Sequence, residues 1–78
     1  MHTFLIDING KSVGEIHSLN FVDAALSSLY NLQTKECETI TITLERLGRF
    51  DIYTYQHVWI NSYGELTYEM RHHETILA

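Results

Sequence analysis

Residues 38–55 constrain this chain more than any other stretch. They read Glu-Thr-Ile-Thr-Ile-Thr-Leu-Glu-Arg, then Leu47-Gly48-Arg49, then Phe-Asp-Ile-Tyr-Thr-Tyr. Ile40, Ile42 and Leu44 alternate with Thr39, Thr41, Thr43 and Glu45. A strand points successive side chains to opposite faces, so this period of two describes one buried and one solvated face. The second arm alternates Phe50, Ile52 and Thr54 with Asp51, Tyr53 and Tyr55. Gly48 supplies the positive φ that a tight connection needs. The two arms form a β-hairpin. The sequence reading puts Phe50 and Ile52 on the face of Ile40, Ile42 and Leu44.

A second hairpin precedes it. Residues 3–8 form an apolar, β-branched run, Asn9-Gly10 is a strong type I′ turn signal, and residues 11–16 return. Two registers are open. A two-residue loop places Val13 on the face of Phe4, Ile6 and Ile8; a three-residue loop with a bulge places Gly14 and Ile16 there.

Between the hairpins lies one helix, about residues 20–32. Ser18 or Asn20 can cap it, and Asp23 completes a capping-box pattern with Asn20. Val22, Ala25, Leu26, Leu29 and Leu32 fall on one apolar stripe; Ala24, Ser27, Ser28 and Asn31 fall elsewhere. After Tyr55, residues 56–60 continue the strand through an irregularity. Residues 61–64 make a turn, and residues 65–71 alternate as a last strand.

The order β-β-α-β-β-β, with one apolar helix stripe, predicts a two-layer α+β fold with the helix on an antiparallel sheet. The 78 residues make a single small domain, 1–78, with a core of the helix stripe, Phe4, Ile6, Ile8, Ile40, Ile42, Leu44, Phe50, Ile52, Leu66, Tyr68 and Met70. The opposite face is left open, with Thr39, Thr41, Thr43, Glu45, Asp51, Tyr53, Tyr55, Glu65, Thr67 and Glu69.

Composition narrows the function. Ten acidic and five basic side chains give a net charge of −5. Affinity for nucleic acid comes from Lys and Arg neutralising phosphates, so direct nucleic-acid binding is not expected. The acids are dispersed in sequence and make a poor imitation of a phosphate ladder. Cys37 is the only cysteine. This suits a reducing compartment, and Glu36 and Glu38 oppose a reactive thiolate. No signal peptide or apolar span is visible, so the expected location is cytoplasmic. His2, His17, His57, His72 and His73 lack the spacing of a metal site, and the isolated glycines make no phosphate loop. No cofactor and no catalytic residue are expected.

What remains is a surface. Tyrosine and tryptophan are enriched at binding hot spots, and an acidic face suits a basic partner. The candidate partner-binding residues are Thr41, Thr43, Glu45, Asp51, Tyr53, Tyr55, Trp59, Tyr63, Glu65, Thr67 and Glu69. Trp59 reads either as rim core or as an exposed anchor. The expected function is a non-catalytic protein-binding module, a small inhibitor or modulator of a larger intracellular protein. The alternative is a homodimer formed through a sheet edge or the open face. The order of elements is similar to that of some small phage-encoded anti-CRISPR domains, a resemblance of architecture without a shared residue motif.

Overall fold

The two Gly-containing turns fix the architecture. A computed structural model describes residues 1–77. The strands are β1 (His2–Ile8), β2 (Lys11–Ser18), β3 (Glu36–Arg46), β4 (Arg49–Ile60) and β5 (Leu66–Leu77), with helix α1 (Phe21–Asn31) between β2 and β3. They form one antiparallel sheet in the order β2-β1-β3-β4-β5. This is the two-layer α+β arrangement expected from the sequence. Among the described residues no helix is long and apolar enough to cross a membrane.

Asn9 and Gly10 have φ of 53° and 80°, and Leu47 and Gly48 have 55° and 76°. Positive φ at both central positions defines the type I′ turn, whose twist matches that of paired strands. Ile8 therefore pairs with Lys11, and Arg46 with Arg49. In the first hairpin a register shift follows between Ile6 and Asp7, so Ile6 pairs with Gly14 and Phe4 with Ile16. The structure thus combines the two readings: a two-residue turn, then a bulge that brings Gly14 and Ile16 to the face of Phe4.

The two-residue turn at Leu47-Gly48 overturns the predicted facing of β4. It pairs Ile40 with Tyr55, Ile42 with Tyr53 and Leu44 with Asp51. Directly opposed residues share a face. Tyr55 is accordingly core, 1% exposed, and Asp51 is buried. Tyr53 packs against the core cluster. Phe50 and Ile52, expected inside, pair with Glu45 and Thr43 on the outer face. Met70, also expected inside, pairs with Gln56 and is exposed.

Farther along, His57 adopts φ 54°, and Glu38, His57 and Glu69 drop out of the strand pairing together. The alternation changes phase across this crease. Cys37, Val58, Ile60, Leu66 and Tyr68 now belong to or pack against the core, and Tyr68 meets the Tyr55 ring edge-on at 4.8 Å. Leu66 and Tyr68 therefore keep their predicted burial although Met70 does not.

The helix starts where Asn20 Oδ1 accepts from the Asp23 N–H at 2.8 Å. It ends in a Schellman arrangement: Thr34 N–H donates to Leu29 O and Gln33 N–H to Tyr30 O, with Gln33 at φ 55°. Its buried residues are Ala24, Ala25, Ser28 and Leu29. The predicted stripe is rotated: Val22 and Leu32 are exposed, while Ala24 and Ser28 face the sheet. Small residues let the helix backbone approach β1, β2 and β3 closely. The Ser28 hydroxyl is satisfied within the helix, donating to Ala24 O at 2.8 Å.

Candidate protein-docking face

The sheet has one face under the helix and one that, among the described residues, has no second layer. Strand pairing assigns each side chain above the crease to a face. Thr3, Leu5 and Asp7 of β1 lie outside, opposite His17, Glu15 and Ser12 of β2. Thr41, Thr43 and Glu45 of β3 lie outside with Thr54, Ile52 and Phe50 of β4. These in turn stand beside His72, Glu74 and Ile76 of β5.

This assignment reveals a separation of charge. The outer face carries Asp7, Glu15, Glu45 and Glu74. Each of the five cations lies elsewhere. Lys11 pairs with Ile8 on the helix side, and Lys35 precedes β3. Arg46 and Arg49 pair at the hairpin tip. The Arg71 guanidinium sits 5.6 Å from the centre of the Tyr53 ring, on the helix side. Four of the ten acids, dispersed in sequence, thus share one face. Between them lies an apolar band of Leu5, Phe50, Ile52 and Ile76, in which Phe50 and Ile76 are directly opposed. Leu5 is 48% and Ile76 46% exposed.

The crease adds a concavity of about 430 Å³ lined by Asn9, Glu36, Cys37, Glu38, His57, Val58, Trp59 and Glu69. Asn9 holds its rim, its Oδ1 accepting from the N–H groups of Glu38 and Thr39 at 3.0 and 3.1 Å. Trp59 alternates with Val58 and Ile60, so its ring turns away from the helix, 38% exposed. Trp59 is thus exposed on the outer side and is not part of the buried core. His57 Nδ1 lies 3.5 Å from Glu38 Oε2. Burial, and then the Glu38 carboxylate, push the Cys37 thiol above its ordinary pKa. That thiol is a poor nucleophile.

Of the predicted docking residues, Thr41, Thr43 and Glu45 share the outer face, with Thr67 opposite Trp59 beyond the crease. Glu69 lines the crease. Tyr63 is exposed at the β4–β5 turn, and Glu65 closes that turn by donating its N–H to Asn61 Oδ1 at 3.0 Å. Asp51, Tyr53 and Tyr55 are not on this surface. Leu5, Phe50, Ile52 and Ile76 were not among the predicted docking residues; Leu5 was expected to point away from Phe4 and Ile6, and for Phe50 and Ile52 the two-residue length of the turn was the signal that could have found them.

On the helix side, Asp51, Tyr53 and His73 form a polar cluster where the helix no longer covers the sheet. Thr75 Oγ1 donates to Asp51 Oδ1 at 2.8 Å, and Arg49 pairs with Asp51 Oδ2 at 3.2 Å. His73 stacks on Tyr53 with ring centres 4.3 Å apart. The Thr75 hydroxyl foremost, with His73 and Arg49, holds the Asp51 carboxyl below the usual carboxylate range against the opposing effect of burial. Burial, with neighbouring Tyr68, pushes the Tyr55 phenol up. Among the described residues no three His, Cys, Asp or Glu side chains converge to hold a metal ion.

No protein-family model, no characterised protein and no solved structure matches this chain.

Proposed function

We propose that this domain is a non-catalytic protein-binding module, a small inhibitor or modulator that docks its outer sheet face on a larger protein with a basic surface. The observation that carries this reading is the charge separation on the sheet. The outer face holds four carboxylates and an apolar band, and all five cations lie off it. An interface needs apolar area for affinity, and complementary charge orients the encounter. The same negative face repels phosphates, which weighs against nucleic acid as the partner. Trp59 and the crease carboxylates extend the acidic surface toward the β4–β5 turn.

The test is capture from cell extract on immobilised protein, with wild type compared with Glu15→Lys/Glu45→Lys. Both substitutions are at exposed positions, and circular dichroism checks that the fold is retained. The expected result is a larger protein retained by wild type, released by salt and lost from the variant. Retention of the same proteins by both forms, or of none by wild type, would refute the proposal.

A further inference from the structure

The two edges of the sheet are protected unequally. β2 is an edge of eight residues, bent by the bulge near Val13 and flanked by the helix, whose Ser28 and Leu32 border a groove with Val13 and Ile16. Among the described residues β5 is an edge of twelve residues with no helix along its free side, and the sequence has no proline. Natural edges are blunted by shortness, bulges, proline or cover, because free N–H and C=O groups template further pairing. β2 has such protection. β5 between the crease and its end has only its charges, and their order matches a second copy of itself.

Pairing with a second copy is constrained by the pleat. Opposed residues of an antiparallel pair share a face, so a twofold axis normal to the sheet must pass through a residue. The regular part of β5 beyond the crease is Met70 to Ile76, with Met70, His72, Glu74 and Ile76 outside and Arg71, His73 and Thr75 on the helix side. An axis at Arg71 sets two guanidiniums against each other, and one at Glu74 sets two carboxylates together. An axis at His72 opposes Met70 to Glu74 and runs into the crease after five residues. An axis at His73 uses the whole segment. Met70 then meets Ile76 twice, His72 meets Glu74 twice, Arg71 meets Thr75 twice, and His73 meets its own copy, each imidazole held 3.4 Å from the Asp51 carboxylate of its own chain.

We infer that the chain forms a homodimer by antiparallel pairing of β5 with β5 of a second copy about a twofold axis at His73, making a continuous ten-stranded sheet. This sets Met70 and Ile76, 59% and 46% exposed in the single chain, side by side as apolar cross-strand pairs on the outer face. Both helices lie on one side, and the two outer faces join into one docking surface. The inference does not rest on the docking proposal: Leu5, Glu45, Phe50 and Ile52 stay clear of the pairing, and Glu74 and Ile76 belong to both surfaces.

Light scattering during size exclusion gives the first readout: twice the chain mass of 9.1 kDa is expected, and the single-chain mass overturns the proposal. The second readout tests the register. In a Cys37→Ser background, Met70→Cys/Ile76→Cys is incubated with oxidised glutathione, which accepts the two electrons of each disulfide formed. Positions 70 and 76 of one strand are about 20 Å apart, too far for an internal bond. The same separation keeps two copies of Met70→Cys alone from linking in this register. A covalent dimer from the double variant and not from the single variant is expected. Equal linking by both, or none by the double variant, overturns the register.

Discussion

Tyr55→Ala and Ile52→Ala together test the facing of β4. Tyr55 is 1% exposed, lies opposite Ile40, and packs its ring edge-on against Tyr68 at 4.8 Å. Truncating a buried large aromatic costs about 3–5 kcal/mol, from lost transfer energy and the cavity left behind. A chain of this length has a total stability of about 4–12 kcal/mol. Tyr55→Ala should therefore leave the domain barely folded or unfolded. Ile52 sits on the outer face between Thr43 and Glu74 with no layer above it. Its truncation leaves no closed cavity and should cost no more than about 1.5 kcal/mol. Urea unfolding followed by circular dichroism measures both, and an unchanged slope confirms that the same surface is being exposed. If Ile52→Ala is the more damaging, β4 faces the other way and the docking face described above is wrong.

Three further outcomes follow from strained or paired groups. Leu47 holds φ 55° at the first position of a type I′ turn and is 96% exposed, so Leu47→Asn should raise stability by about 1 kcal/mol in the same urea assay. Asn9→Ala removes the acceptor shared by the N–H groups of Glu38 and Thr39 and should cost about 1–3 kcal/mol, seen as faster amide exchange at those two positions. Asp51 titrates below its unfolded value. Its contribution is therefore present above the ordinary carboxylate pKa of about 3.9 and is lost as pH falls through the depressed one. Asp51→Asn should accordingly lose less stability than wild type on acidification below about pH 4, measured by thermal melts across that range.

Much of the local structure was legible. Asn9-Gly10 and Leu47-Gly48 mark turns because positive φ favours Asn and Gly. Asn20 with Asp23 marks the helix start because the first N–H groups need acceptors. The alternation of Ile40, Ile42 and Leu44 marks a strand with a buried face. The irregularity after Tyr55 was also readable, and so was the core side of Leu66 and Tyr68; what was not readable is that a single positive φ at His57 turns Val58 and Ile60 to the same side. The helix face was harder. Val22 and Leu32 are the more apolar choices, but Ala24 and Ser28 are small enough to sit against the sheet.

The candidate face was legible only in part. Thr41, Thr43 and Glu45 follow from alternation within one strand, and β3 needs no partner to define its wet side. Which residues of β4 join them depends on how many residues the turn contains. Adding one residue to the loop reverses every side chain of the following strand. The sequence by itself determined the turns, the helix start and the alternation of residues 38–55, because these rest on local periodicity and backbone preference; it ended the last strand at residue 71, whereas β5 runs Leu66–Leu77. The tertiary structure alone decided which stripes share a layer, and so gathered four dispersed acids on one face. Register is a relation between strands, settled when Ile40, Ile42 and Tyr55 are buried together beneath the helix.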